Sequence, residues 1–125
     1  MFRYYNSNPN YSNIEDCTIR ALSVAEGISW DEAYDLLSNS ARDLGLMMSS
    51  VRAVEHFLDA RYDRVPVHEE TVGEFIENHK RGVFLITMPG HITVLKGSKY
   101  NTNIQNFNYD TFNSSERNIW NAWYV

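Results

Sequence analysis

Gly82-Val83-Phe84-Leu85-Ile86-Thr87-Met88-Pro89-Gly90-His91-Ile92-Thr93-Val94-Leu95-Lys96-Gly97 is where the texture of this chain changes. Before it, apolar residues recur at helical intervals. From Val83 onward they come in short β-branched and aromatic runs cut by Pro-Gly and Gly-Ser turn signals. The spacing predicts strands over Val83 to Met88 and His91 to Lys96, joined at Pro89-Gly90 and closed at Gly97-Ser98. A third strand is expected around Phe107 to Phe112 and a last one from Ile119 to Val125.

Upstream, Asp16 to Ala25 reads as a mostly apolar, central helix, with Asp16 as N-cap and Gly27 as stop. Ser29-Trp30-Asp31-Glu32 carries the capping-box spacing of a second helix that ends before Gly45. A third is expected from Ser49 or Ser50, with Val51, Val54, Phe57 and Leu58 on its core face. Thr71-Val72-Gly73-Glu74 opens a fourth, with Phe75 and Ile76 inward and Gly82 as its stop. Tyr62 to Val67 fits a short strand held to a sheet edge by Pro66. Residues 1–13, rich in Asn, Tyr and Ser, read as a turn-forming lead-in. Helices first and an antiparallel sheet afterwards is an α+β pattern, and with no linker or repeat the 125 residues are expected to form a single domain.

The composition bounds the function. With 43% hydrophobic and 14% aromatic residues the chain can bury a real core. A net charge of -5 argues against nucleic acid bound through its phosphates and against an anionic membrane surface. The longest apolar run, Val83-Phe84-Leu85-Ile86, is strand-sized. One cysteine allows no internal disulfide, and Met1 to Asn6 lacks a signal-peptide pattern, so a soluble, cytoplasmic protein is expected. His56, His68 and His79 lie too far apart for a metal motif, and no phosphate-binding glycine loop occurs, so neither metal nor cofactor is expected. Arg61/Arg64 and Lys80/Arg81 read as solvated faces. Tyr100, Phe107, Tyr109, Phe112, Trp120, Trp123 and Tyr124 read as core rather than as a ligand groove.

Cys17 is the informative residue. At the first turn of a helix, free backbone N–H groups and the positive end of the dipole favour a thiolate. A thiolate nucleophile needs a base, and the base an orienting acceptor. His91, opening a strand after a Pro-Gly turn, is the candidate base, and Asp110, nineteen residues on, the candidate acceptor. Taken singly, each has a plain structural explanation: a small buried thiol, a strand-end histidine, a turn aspartate. The order of the three is what points to chemistry.

Glu15-Asp16-Cys17-Thr18-Ile19-Arg20-Ala21-Leu22, Gly90-His91-Ile92-Thr93-Val94 and Tyr109-Asp110-Thr111-Phe112 also resemble small papain-like cysteine peptidase domains, in particular short C39-like proteins of bacteria and phages. The resemblance runs from about Asn13 to Trp123. It implies a papain-like fold with Cys17 as nucleophile, His91 as general base and acid, and Asp110 orienting the imidazole. Such enzymes usually carry a Gln before the cysteine as oxyanion donor. None stands here, and Asn13 takes that place better than Asn10. Asn101 rivals Asp110 as the orienting residue; the resemblance favours Asp110, because Ser114, Arg117, Ile119 and Trp123 follow it with the family's spacing.

The expected function is a cysteine peptidase or isopeptidase working through an acyl-thioester on a protein or peptide, or a related acyl transferase. The alternative is a catalytically silent papain-like domain that binds a protein partner, as a phage-encoded inhibitor or antagonist would.

Overall fold

In the computed structural model, residues 1–97, 101 and 103–125 are described. Residues 98–100 and 102, on which part of one predicted turn, Tyr100 and the neighbours of Asn101 fall, lie outside the described residues. The elements follow as β1 (Phe2–Tyr4), α1 (Cys17–Glu26), α2 (Trp30–Leu44), α3 (Val51–Arg61), β2 (Asp63–Val65), α4 (Val72–Asn78), β3 (Val83–Met88), β4 (His91–Lys96), β5 (Phe107–Asp110) and β6 (Asn121–Tyr124). The strands form one sheet in the order β1-β5-β4-β3-β6-β2. The architecture is mixed α+β.

Local chemistry sets the boundaries. Gly27 ends α1 in the left-handed region at φ +67°, and Ile28 N–H reaches back to Ser23 O at 3.0 Å. Ser29, Ser50 and Thr71 cap α2, α3 and α4 by accepting from the N–H groups of Glu32, Ala53 and Glu74. Gly90, at φ +70°, lets the chain reverse in two residues, so that Met88 pairs with His91.

Two apolar layers sandwich the sheet. Val83 and Leu85 of β3 join Ile92 and Val94 of β4 beneath Leu22, Leu37, Phe57 and Leu58 of α1, α2 and α3. Phe84, Ile86 and Met88, alternating with them along β3, pack with Leu95 against Val72 and Phe75 of α4. Burial on both faces explains why β3 reads as an unbroken apolar run. Trp123, fully buried, anchors β6 in the first layer.

Several expectations need correction. The sheet is mixed, not antiparallel: β1, drawn from the lead-in read as turns, pairs parallel to β5 at one edge. Its backbone is extended by pairing and not by composition, which is why period-based reading passes over it. Asp16 does not cap α1 with its side chain, which is committed elsewhere. Val51 is 59% exposed, while Ala53 takes its expected place in the core. α4 ends at Asn78, well before Gly82, and β5 ends at Asp110, short of Phe112. β2 is an edge strand, but it covers only Asp63–Val65 and stops before Pro66, which has no N–H to continue the ladder.

Candidate active site

Cys17 is the first residue of α1, where N–H groups have no partner within the helix. The chain enters this helix through Glu15 in the left-handed region, at φ +66°, an unusual conformation for a non-glycine residue. Cys17 is half-buried and lies against the imidazole of His91, with the backbone N–H of Ile92 donating to its sulfur. Because β4 starts immediately after the Pro89-Gly90 turn, His91 stands at the sheet end that meets the start of α1.

His91 Nε2 lies 2.7 Å from Asp110 Oδ2, and both side chains are almost fully buried. With Nε2 taken, Nδ1 is the ring nitrogen left for the thiol. The sequence therefore identified three residues that the fold brings into one line, and Asp110 rather than Asn101 holds the histidine. Asn101 is exposed. Asn13 is exposed on the lead-in and hydrogen-bonds to no part of the site among the described residues.

The electrostatics favour a charged pair. Burial pushes the Cys17 thiol up, but hydrogen bonds from His91 and Ile92 N–H and the charges of His91 and Arg20 outweigh it, leaving the thiol below its ordinary range. Burial pulls His91 down, yet the hydrogen bonds and charges of Asp110 and Cys17 raise it to about 9. Burial likewise opposes the charge on Asp110, but His91, Thr93 and Thr111 N–H hold its carboxyl below the usual range. Both shifts run toward the charged forms, thiolate for Cys17 and imidazolium for His91.

Side chains that the sequence analysis does not single out support the three residues. Asn108 Nδ2 donates to Thr93 Oγ1 at 2.8 Å, and Thr93 in turn hydrogen-bonds Asp110. The signal was present: His91 and Thr93, and Asn108 and Asp110, each sit two apart, the strand spacing that puts them on one face. Phe112 packs on the His91 ring at 4.6 Å between centroids, and the Arg117 guanidinium lies over Phe112 at 4.8 Å. Beside the triad, Arg20 donates through Nε to Asp16 Oδ1 at 2.9 Å and through Nη1 to Thr111 Oγ1 at 3.0 Å. Asp16 also accepts from Asn8 Nδ2 at 2.9 Å and Trp30 Nε1 at 3.1 Å. Asn8 and Arg20 carried no signal, since an asparagine in a polar lead-in and an arginine on a helix are usually solvated.

The sulfur opens onto a cleft of about 170 Å³ lined by Thr18, Val51, Val54, Glu55, Met88, Ile92 and Trp120, among others. Val51 and Trp120, both exposed, form apolar parts of its wall. Glu55 pairs with Arg64 at 3.3 Å. A larger hollow of about 450 Å³ lies between the end of α1 and the end of β4, with Tyr5 and Tyr109 on its wall, and includes none of the three residues.

No family model, curated protein or solved structure matches this chain. The geometry of the site alone therefore carries its functional reading. Among the described residues no cluster of His, Cys, Asp and Glu is arranged to hold a metal ion, and no helix is long and apolar enough to cross a membrane.

Proposed function

We propose that this protein is a papain-like thiol hydrolase, a cysteine peptidase or isopeptidase whose nucleophile is Cys17. The observation that carries the reading is a helix-start thiol against a histidine whose far nitrogen is held at 2.7 Å by a buried carboxylate, with an open cleft beside the sulfur. Each part has a role in acyl transfer. The Cys17 thiolate attacks a substrate carbonyl, and the Cys17 backbone N–H, with Asn13 as the candidate second donor, faces the developing oxyanion. His91, as imidazolium, gives its proton to the leaving amine as the C–N bond breaks, leaving an acyl-thioester. His91 then takes a proton from water, the hydroxide adds to the thioester, and the carboxylic acid departs as the thiolate and imidazolium are restored. An amine in place of water makes the same site an acyl transferase. No step needs a metal or cofactor.

The apolar cleft suits a protein or peptide presented in extended form. A cytoplasmic setting suits a free thiol that must stay reduced. Incubation with a mixed peptide library, read by mass spectrometry, tests the reading: cleavage or amine ligation by the wild type, lost in Cys17→Ala and His91→Ala, supports it. Turnover retained in either variant overturns it.

A second reading, a silent domain of this fold that binds a protein partner, is favoured by one observation: Asn13 is exposed and, among the described residues, hydrogen-bonds to no part of the site. A partner complex equally tight with Cys17→Ala, without adduct or cleavage, would select it.

A further inference from the structure

Arg20 is a cation that is only 7% exposed, and cations are rarely buried without a strong reason. Its guanidinium lies between two elements. On the α1 side it is held by Asp16, itself fixed by Asn8 and Trp30. On the sheet side it reaches Thr111 Oγ1 and comes within 3.9 Å of Asp110 Oδ1, the oxygen not used by His91. Thr111 N–H donates to that same oxygen at 2.7 Å. Charge then alternates along a line that ends beside the Cys17 thiol: Asp16 negative, Arg20 positive, Asp110 negative, His91 positive. The planar fork of arginine can hold both ends at once, which the point charge of a lysine cannot.

We propose that Arg20 is a positioning residue that clamps the Asp110–Thr111 corner to the start of α1, fixing the carboxylate that orients His91 against Cys17. The inference rests on the thiol-hydrolase reading but names a residue that reading does not require. A merely structural Arg20 would affect stability alone; a positioning one also moves the pH dependence of the thiol. The titratable groups facing the pair are Asp16 and Arg20 at the start of α1, Glu55 of α3, His91 of β4, Tyr109 and Asp110 of β5, and Tyr5 beside β1.

The test compares wild type, Arg20→Gln, Arg20→Lys and Thr111→Val. Two properties are read: the pH profile of Cys17 alkylation by iodoacetamide, and the downfield NMR signal of the His91 ring N–H held by Asp110. Arg20→Gln is expected to slow alkylation at pH 6 about tenfold, the size of one pKa unit, with little change at pH 9. Arg20→Lys should recover part of the loss, and Thr111→Val should shift the profile the same way by a smaller factor. A folded Arg20→Gln whose profile overlays the wild type overturns the proposal. Should Arg20→Gln not fold, Thr111→Val decides: a displaced profile supports, a superposed one overturns. If the wild-type thiol reacts no faster at low pH than a free cysteine, the hydrolase reading fails instead. The ring signal then judges Arg20: present in wild type and lost in the variant supports it, retained in the variant or absent from both overturns it.

Discussion

The two flanks of Cys17 are built from opposite materials. On the sheet side, His91, Asp110, Thr93 and Asn108 are polar, buried and linked by hydrogen bonds. On the α3 side, Val51, Val54, Met88, Ile92 and Trp120 are apolar and open to solvent at Val51 and Trp120. Directional hydrogen bonds hold the polar chain in one geometry, whereas the apolar wall, built on the core residues Val54, Met88 and Ile92, leaves Val51 and Trp120 exposed to meet a guest. On the proposed reading, one flank carries the chemistry and the other the binding, and each assignment can be broken separately.

The largest effect belongs to the sheet flank. Cys17→Ala and His91→Ala should each lower turnover by about a thousandfold or more, while melting curves stay cooperative. Next comes Asp110→Ala, with a loss of about a hundredfold in kcat/KM, and Asp110→Asn a smaller one because an acceptor remains. Both should move the alkaline limb of the activity profile, set by His91 at about 9, toward the ordinary histidine value.

The same group links stability to pH. Burial disfavours the charged imidazole, but Asp110 and Cys17 raise its pKa from 6.5 to about 9, so the charged ring stabilises the fold fully below 6.5 and that contribution is lost as pH rises through about 9. Asp110 and Cys17, both lowered, contribute above their ordinary values and lose it as pH falls. The gap in melting temperature between wild type and His91→Ala should therefore narrow above about pH 9, leaving the part due to ring packing on Phe112, which thermal scans on either side of that value would check.

Smaller effects belong to the α3 flank. Val51→Asp or Trp120→Ala should raise KM roughly tenfold for an apolar peptide, about the weight of one buried apolar side chain, while kcat moves less. Equal losses in kcat and KM would erase the distinction between the flanks. Smallest of all, Arg64→Gln should cost less than about 1 kcal/mol in chemical denaturation, because the Arg64 pairs with Glu55 and Asp59 are largely exposed.

Legibility in the sequence followed the same division. Cys17, His91 and Asp110 were readable because a helix cap, a Pro-Gly turn and a strand end each leave local marks. The helices and β3 through β6 were readable from periodicity and turn residues. β1 was not, since its pairing with β5 joins residues about a hundred positions apart. Nor was the role of Asp16, whose side chain suits a cap but is held by Arg20, Asn8 and Trp30. Val51 suits a core face by spacing, yet the fold turns it to the cleft. Long-range partners decide such cases.

Whether Cys17 and His91 form an activated pair is read most simply from the rate of Cys17 alkylation by iodoacetamide across pH, followed by intact mass, in wild type and His91→Ala. The expected wild-type rate stays high well below the ~8.5 pKa of a free thiol and collapses in the variant. A slow rate that tracks an ordinary thiol and is indifferent to His91→Ala would contradict the activated pair and, with it, the hydrolase.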